Sequence, residues 1–256
     1  MSAPPLLRAA RVSRHFGGVR AVDGVDLAVT AGQVFGLIGP NGAGKTTFVD
    51  LLSGFLRPTA GTIAFGGERV DGLAPERIAA LGVRRTFQNL RLFVGMTVLE
   101  NVVVGEHTRR RYGLPWRLLL SPAERREAEE ARERALALLE QVGLRPRADR
   151  RADGLAYGER KRLEVARALA GAPRLLLLDE PVAGLGGAEV DEMAALVRQL
   201  VAQGQTILLI EHNVGFVMGL CDRIAVLNFG RKIAEGTPAE IAADPAVIEA
   251  YLGPDE

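Results

Sequence analysis

The sequence is poor in cysteine and lysine and carries almost no net charge. Its 256 residues include a single cysteine, Cys221, which excludes an internal disulfide and fits a reducing compartment. The 32 basic and 31 acidic residues leave a net charge of +1, which gives no overall electrostatic case for a nucleic-acid partner. Only three basic residues are lysines, namely Lys45, Lys161 and Lys232, and a lysine in so arginine-rich a sequence is a candidate for a specific role.

Long apolar runs are also missing. The run at residues 175–178 ends in Asp179 and Glu180, and none of the apolar runs approaches the roughly 20 residues that a bilayer-spanning helix needs. The first residues, MSAPPLLRAARVSRHF, carry prolines and arginines where a signal peptide would have an apolar region. We therefore expect a soluble chain, of which any relation to a membrane runs through a partner.

What the sequence does contain is an alternation of apolar strands and amphipathic helices. The strands QVFGLI, RLLLLDE and QTILLIEH are continuous apolar runs, as in a parallel sheet buried on both faces. The segment GTIAFGGERV has a glycine turn between apolar runs, which predicts a β-hairpin. A helical face is predicted after the first strand by Phe48, Leu51, Leu52 and Phe55. Charged helical sequence dominates from about residue 90 to 162, so the pattern predicts an α/β core with a helical insertion.

A glycine-rich loop lies between the first of these strands and the helix behind it. It matches the P-loop pattern and consists of Gly39, Pro40, Asn41, Gly42, Ala43, Gly44, Lys45, Thr46 and Thr47. Small residues let backbone N–H groups converge on phosphates, and the helix N-terminus adds its dipole. Lys45 supplies positive charge to the β- and γ-phosphate oxygens, and the Thr46 hydroxyl can bind Mg²⁺. The alternative is a tight glycine turn with a chance lysine.

Two adjacent acids end the strand RLLLLDE. A buried strand that ends in a carboxylate places it at the sheet edge beside the P-loop, where it can hold Mg²⁺. Because successive strand side chains diverge, the two acids are expected to have different roles. We assign Asp179 to the metal and Glu180 to the attacking water as general base. A solvated strand end is the alternative.

Three further residues are ambiguous when each is taken alone. His212 follows the strand TILLIE and is either a structural hydrogen-bonding residue or a group of the site. Phe16, in RHFGG, is either a core aromatic or a ring that stacks on a base. Gln88, in RRTFQNLRLF, carries no signal of its own.

Together and in this order, these segments resemble the ATP-binding subunits of ABC transporters over essentially the whole chain. The resemblance implies that Phe16 stacks on adenine and that His212 contacts the γ-phosphate. It also implies that Gln88 is the Q-loop glutamine and binds Mg²⁺ beside Thr46 and Asp179. The expected ligands are ATP and Mg²⁺, and Lys45, Gln88, Glu180 and His212 are the residues expected to act in hydrolysis.

The stretch LAYGE stands where the family has its LSGGQ signature. It comprises Leu155, Ala156, Tyr157, Gly158 and Glu159. The family's ATPase is a head-to-tail dimer in which each nucleotide lies between the P-loop of one subunit and the signature of the other. A glycine-bearing helix N-terminus that faces outward can bind an anion, so we expect residues 155–159 to bind nucleotide in trans.

The resemblance implies a particular α/β architecture. It is a P-loop, RecA-like core with a mostly parallel sheet, an antiparallel β subdomain and an inserted helical subdomain. Residues 1–89 and 163–230 would form the nucleotide-binding core with the antiparallel sheet. Residues 90–162 would form the helical, signature-bearing subdomain, and residues 231–256 a C-terminal extension.

Three positions depart from the family pattern. Ala156 replaces the usual serine and removes one hydroxyl donor. Glu159 replaces the usual glutamine and is expected to weaken phosphate binding unless Arg160 or Lys161 offsets its charge. Gly186 replaces the usual aspartate of the D-loop, which puts cross-talk between the two sites in question.

Within the family, the chain most resembles the ATPases of branched-chain amino acid importers, through GVRRTFQNLRLFVGMTVLENVVVG and the ending GTPAEIAADPAVIEAYLG. This implies membrane permease subunits, a second ATPase subunit, an extracytoplasmic substrate-binding protein and a peripheral place on the cytoplasmic side of the bacterial inner membrane. No nucleic-acid partner is expected. The permease would contact the surface around residues 90–96, whereas Phe93 and Met96 could instead be core residues.

Other systems of the family stay open as alternatives. One is an importer of urea or short amides, and another is a lipopolysaccharide-extracting transporter, whose ending and GER-type signature are similar but which lacks so long a helical insertion. A soluble ABC ATPase that acts on DNA or ribosomes is a third alternative. It usually has two cassettes or long coiled-coil arms, and this chain has neither.

Overall fold

The computed structural model describes residues 4–87, 90–106 and 122–252. Its strands are β1 (Leu7–Phe16), β2 (Val19–Val29), β3 (Val34–Ile38), β4 (Ala60–Phe65), β5 (Glu68–Arg69), β6 (Val83–Arg85), β7 (Leu175–Asp179), β8 (Thr206–Ile210), β9 (Arg223–Asn228) and β10 (Arg231–Gly236). Its helices are α1 (Lys45–Leu52), α2 (Pro75–Ala80), α3 (Val98–Gly105), α4 (Pro122–Gln141), α5 (Tyr157–Ala170), α6 (Gly187–Ala202), α7 (Val214–Met218), α8 (Pro238–Ala242) and α9 (Pro245–Leu252). Among the described residues, no helix combines the length and apolar character that crossing a bilayer requires.

The centre of the fold is a six-stranded sheet with the order β10-β9-β3-β8-β7-β6. β9, β3, β8, β7 and β6 run parallel, and every residue of β3, β7 and β8 is buried. Because the carboxyl ends of parallel strands meet at one edge, the segments after β3, β7 and β8 lie side by side. The predicted α/β fold with a mostly parallel core sheet is confirmed.

Successive residues of the buried strands point to opposite faces and divide the core in two. Phe35 and Leu37 of β3 pack on the face that carries α1 and the antiparallel sheet. Val34 and Ile38 pack on the other face, with residues of α3, α4, α5 and α6. Both faces of the sheet are therefore covered, which explains why its strands are apolar without alternation.

The antiparallel sheet has the order β2-β1-β4-β5. β4 and β5 form the hairpin predicted from the glycine pair, and both glycines take positive φ angles, +58° at Gly66 and +88° at Gly67. The helix α1 ends one turn earlier than its apolar pattern predicts, because Gly54 after its last turn has a φ angle of +79°. Phe55 therefore lies outside the helix and is 49% exposed.

The helical insertion packs as α3 against α4 and α5. Glu106, just after α3, is 1% exposed, and its carboxylate accepts hydrogen bonds from Arg134 Nε at 3.0 Å and Nη2 at 2.9 Å. The carboxylate of Glu130, one turn earlier on α4, is more distant, with Oε2 3.8 Å from Arg134 Nη1. The arginine therefore ties α4 to α3 rather than bracing its own helix.

The end of the chain is partly built into the core. β10 pairs antiparallel with β9 and forms one edge of the central sheet, and α8 and α9 follow it. Residues 231–236 thus belong to the sheet, and α5 runs through the expected boundary between residues 162 and 163. The proposed division into subdomains stays a prediction.

Candidate active site

The glycine-rich loop wraps around the N-terminus of α1 directly after β3. Gly39 has φ +152° and Gly44 has φ +96°, and a Cβ atom at Gly39 would lie 2.1 Å from the carbonyl oxygen of Leu227. A Cβ atom at Gly44 would lie 2.3 Å from the carbonyl oxygen of Ala21. Glycine is therefore required at both positions by contact as well as by backbone angle.

A cavity of about 430 Å³ opens at this loop. Its lining consists of Val19, Arg20, Ala21, Asn41, Gly42, Ala43, Gly44, Lys45, Thr46, Thr47, Glu180, Phe229 and Gly230. Gly39 and Pro40 lie next to this lining as the start of the loop. The cavity brings the predicted phosphate-binding loop together with the predicted general base.

Lys45 is 8% exposed, and its ammonium donates hydrogen bonds to the carbonyl oxygens of Gly39 at 2.7 Å and Pro40 at 3.0 Å. Burial lowers the pKa of Lys45, while the negative charges of Glu180 and Asp179 act in the opposite direction. The ammonium group of Lys45 thus lies among carbonyl oxygens of its own loop and close to the negative charges of Glu180 and Asp179.

Asp179, the last residue of β7, is 4% exposed and is paired with an arginine that no motif points to. Arg85, at the end of β6, donates from Nη2 to Asp179 Oδ2 at 2.8 Å and from Nη1 to Asp50 Oδ1 at 2.5 Å. Burial raises the pKa of Asp179, and the hydrogen bond from Arg85 opposes that shift. A strand end three residues before Gln88 is the one signal that could have drawn attention to Arg85.

A second cavity of about 280 Å³ lies beside this ion pair. It is lined by Thr46, Asp50, Phe55, Arg85, Phe87, Arg91 and Asp179. The Thr46 hydroxyl and the Asp179 carboxylate, which are predicted to bind Mg²⁺, therefore share one cavity. In the described part of the chain, no cluster of three or more histidine, cysteine or acidic side chains forms a metal site. The pair of Thr46 and Asp179 nevertheless suits Mg²⁺, because this ion keeps several waters and commonly uses one or two carboxylates together with substrate phosphates.

Gln88, the third predicted Mg²⁺ ligand, lies outside the described residues, but the residues that flank its segment are anchored. Glu164 on α5 is 2% exposed, and Oε1 accepts the N–H of Phe87 at 3.3 Å and of Arg91 at 3.5 Å. Burial raises the pKa of Glu164, whereas these hydrogen bonds and Arg167 lower it. The helix α5, which begins at the signature segment, therefore holds Phe87 and Arg91, the residues on either side of the predicted Q-loop glutamine.

Glu180 and His212 lie side by side after β7 and β8. His212 Nδ1 is 3.9 Å from Glu180 Oε1 and 3.7 Å from Glu211 Oε2. Glu211, which no motif singles out, is fully buried and accepts the backbone N–H groups of Val182 and His212, both at 3.0 Å. Glu211 therefore holds the backbone of the loop after β8. The half-exposed His212 ring lies on this loop and faces the Glu180 carboxylate.

Phe16 is 44% exposed, so it is not a core residue. It pairs with Val19 across the β1–β2 turn, and Val19 lines the larger cavity. The guanidinium of Arg14 lies 4.5 Å from the centre of its ring. A second aromatic residue, Phe229, is 85% exposed and lines the same cavity directly.

The signature segment is only partly exposed. Leu155 is 4% exposed and packs in the core, whereas Ala156 and Tyr157 are exposed at the start of α5. A Cβ atom at Gly158 would lie 2.3 Å from Glu189 Oε1, so the glycine permits α6 to pack against this turn. Glu189 Oε2 also accepts the N–H of Gly186 at 3.1 Å, which ties the D-loop position to the same turn.

The charge of Glu159 is offset, but by neither Arg160 nor Lys161. Its Oε2 accepts the N–H of Ala156 at 3.0 Å, and its Oε1 lies 2.9 Å from Arg147 Nε. The side chain turns back over the helix N-terminus, where it reaches a turn of 3₁₀ helix, Arg145–Arg147, instead of the next turn of α5. The counter-charge comes from Arg147 rather than from Arg160 or Lys161, and the expected weakening of phosphate binding by Glu159 stays a prediction.

Comparison with known proteins agrees with this geometry. A family model described as ABC transporter matches residues 22–183, and one described as branched-chain amino acid ATP-binding cassette transporter matches residues 231–253. The chain is 48% identical to the high-affinity branched-chain amino acid transport ATP-binding protein LivG of Salmonella typhimurium, over 97% of this chain and 98% of LivG.

Two further likenesses extend over the same length. The chain is 47% identical to BraF of Pseudomonas aeruginosa, a protein of the same description, over 97% of this chain and 98% of BraF. The ADP conformation of MJ1267, an ATP-binding cassette of an ABC transporter, matches with a TM-score of 0.86 at 32% identity, over 98% of this chain and 100% of that one. The likeness therefore includes the core, the helical insertion and the C-terminal helices.

Proposed function

The chain belongs to the ABC transporter family, and from this premise we propose that it is the ATP-hydrolysing subunit of a membrane importer for branched-chain or related amino acids. The nearly full-length identity to LivG and BraF supports the importer and its substrate class. The observation that carries the activity is the cavity at the P-loop, where Lys45, Thr46 and Glu180 face one another.

ATP would bind with its phosphates in this cavity. The backbone N–H groups of the loop and the N-terminus of α1 favour negative charge, and Lys45 adds a full positive charge for the β- and γ-phosphates. The adenine ring would stack on Phe16 at the rim, where the ring is exposed beside Val19. In that position the Arg14 guanidinium supports the opposite face of the phenyl ring.

Mg²⁺ would be held by Thr46 and Asp179, with Gln88 as a further ligand. The bound ion would supply positive charge that offsets the negative charge of the phosphates. Arg85 already neutralises Asp179, so its guanidinium must share or release this carboxylate when the nucleotide binds. Asp50 lies on the other side of the guanidinium and offers it an alternative partner.

Hydrolysis would use Glu180 as general base. The carboxylate accepts a proton from a water molecule whose oxygen attacks the γ-phosphorus while the bond to the β–γ bridging oxygen breaks. His212, whose Nδ1 is 3.9 Å from this carboxylate, would donate to the γ-phosphate oxygens. The far side of the γ-phosphate would be closed by residues 156–159 of a second ATPase subunit, which present a helix N-terminus.

Transport would be coupled through the surface that precedes α3. Phe93, Val94 and Met96 are 46%, 55% and 37% exposed, which argues against core packing for this group. Asn101, fully buried, holds the loop by accepting the N–H of Phe93 and donating to its carbonyl. A firmly held apolar loop next to the Q-loop suits a cytoplasmic helix of a permease, on the cytoplasmic side of the inner membrane.

The proposal is tested by reconstitution. The chain is purified with membrane permease subunits, a second ATPase subunit and an extracytoplasmic binding protein from the same source, and uptake of leucine, urea or short amides into vesicles is measured with ATP inside. We expect ATP-dependent leucine uptake that Lys45→Ala abolishes. Uptake of urea alone would replace the substrate class, and a chain that hydrolyses ATP but neither associates with the permease subunits nor supports uptake of any of these solutes would favour a soluble ABC ATPase.

A further inference from the structure

Lys161 is almost fully buried although it lies only four residues behind the start of the signature helix. Its side chain is 3% exposed, and Nζ donates a hydrogen bond to the main-chain carbonyl oxygen of Glu180 at 3.0 Å. The chain has three lysines among its 32 basic residues, and the first of them is the P-loop lysine. Burying an ammonium group costs free energy unless the group is hydrogen-bonded, and the Glu180 carbonyl oxygen supplies that hydrogen bond.

The contact holds Glu180 at a strained point of the backbone. Glu180 has φ +49°, a left-handed conformation that a non-glycine residue keeps only where its surroundings impose it. Its N–H donates to the carbonyl of Ile210 at 2.9 Å, and its carbonyl accepts from Lys161 and from the N–H of Ala183 at 3.3 Å. The main chain of the general base is thus fixed by β8 on one side and by α5 on the other.

The same lysine faces the part of α5 that is exposed to a second subunit. Nζ lies 5.8 Å from the centre of the Tyr157 ring, one helical turn earlier, and Tyr157 is 40% exposed. The Tyr157 ring also packs against the loop after β7, since a Cβ atom at Gly184 would lie 3.2 Å from it. A shift of the first turn of α5 therefore moves the group that holds the Glu180 carbonyl.

We propose that Lys161 is a positioning residue that couples the signature segment to the general base of the same subunit. When residues 156–159 engage the nucleotide of the opposite subunit, Lys161 brings Glu180 into line for its own nucleotide. Each hydrolysis site then depends on occupation of the other, although the D-loop carries Gly186 in place of an acid. This inference rests on the proposed function of Glu180 and of the dimer.

The test compares Lys161→Met, which keeps the length of the side chain but loses the donor, with Lys161→Arg, which keeps a donor. Lys232→Met is the matched control, because Lys232 lies on β10 and pairs with Glu235. We expect Lys161→Met to lower kcat by about tenfold to a hundredfold, as a small misplacement of a reacting group does, with KM nearly unchanged. Lys161→Arg recovers part of kcat, and the dependence of rate on ATP concentration loses cooperativity in Lys161→Met.

A double variant separates positioning from a general structural effect. If Lys161 acts through Glu180, Lys161→Met adds almost no further loss in a Glu180→Gln background, measured in single turnovers. Two outcomes would overturn the inference about Lys161 and leave the proposed role of Glu180 standing. One is a double variant in which the two losses of rate multiply, and the other is a normal kcat in Lys161→Met while Glu180→Gln is inactive. A Glu180→Gln variant with wild-type turnover would instead remove the proposed base, and the inference with it.

Discussion

The P-loop and the signature segment are both helix N-termini, but their electrostatics differ. α1 begins in a loop whose Lys45 adds a full positive charge, beside a cavity that is also lined by the start of β2, by Glu180 and by the β9–β10 turn. α5 begins at an exposed turn where Glu159 adds negative charge and Arg147 cancels it. The first therefore has a full positive charge with which to bind phosphate under the proposed function, whereas the second would offer only backbone N–H groups and part of a helix dipole. The first should therefore decide whether nucleotide binds, and the second whether two subunits close over it.

The largest effect is expected from Glu180→Gln. Loss of the base should slow hydrolysis about a thousandfold while leaving the phosphate site intact, because the amide keeps the shape of the carboxylate. ATP-bound subunits should then accumulate as dimers, measured by size-exclusion chromatography with light scattering with and without Mg-ATP.

Glu249→Gln, an exposed change on α9, is the control for this experiment and should behave as the wild type. Rapid hydrolysis by Glu180→Gln would mean that another group activates the water. A variant that binds ATP but stays monomeric would show that the signature segment serves a different ATPase subunit. The P-loop of this chain would then face the signature segment of a different chain.

Removal of Arg85 probes the phosphate side through stability. Arg85→Met leaves Asp50 and Asp179 facing each other in a mostly buried site, and breaking such a pair costs about 3 kcal/mol of unfolding free energy. Mg-ADP should recover part of that loss, because a cation again lies beside Asp179.

The measurement is denaturant unfolding with Mg-ADP, with ADP and EDTA, and without nucleotide. Arg151→Met, which breaks an exposed ion pair with Asp153, should leave the unfolding midpoint unchanged. If Arg85→Met is as stable as the wild type, or if Mg-ADP and ADP with EDTA protect it equally, Arg85 does not share its carboxylate with the metal.

The two regions also differ in how far the sequence predicts them. The P-loop, Asp179 and Glu180 follow buried apolar strands, so local pattern and spacing locate them and the parallel sheet brings them together. The fold class and the hairpin are predictable for the same reason. Gly54 shows the limit even here, since its backbone angle ends α1 before the apolar pattern does.

The charge partners of the site are not predictable from the sequence. Arg85 and Asp179 are 94 residues apart in the chain, and their contact depends on the pairing of β6 with β7. Glu159 pairs with Arg147 because it turns back over the helix end, although Arg160 and Lys161 are nearer in sequence. Lys161 is visible only as a rare residue type, and its contact with Glu180 follows from the packing of α5 beside β7.

A smaller effect should come from the counter-charge at the signature. Arg147→Met leaves Glu159 unpaired near the phosphate that closes the dimer, and the ATP-dependent dimer should weaken about threefold to fivefold, as expected for a partly exposed pair. Arg145→Met is the matched control, since Arg145 faces Glu140 on α4. The double variant Arg147→Met, Glu159→Gln should return to the wild-type dimer constant in the same light-scattering titration. If Arg147→Met dimerises normally, the Glu159 charge does not reach the nucleotide.

The smallest effect is expected from Ala156→Ser, which restores the family's usual hydroxyl. A serine at the first position before a helix accepts an N–H of the first turn, and this stabilises the protein by about 0.5–1 kcal/mol. The N–H of Ala156 is already capped by Glu159, and the remaining N–H groups still face outward, so ATP hydrolysis should stay within about twofold of the wild type. Thermal unfolding and the ATPase rate of the dimer are measured together. An ATPase rate that rises well beyond twofold would show that the signature segment needs a side-chain donor. The signature segment would then differ from the P-loop by a missing hydroxyl rather than by its charge.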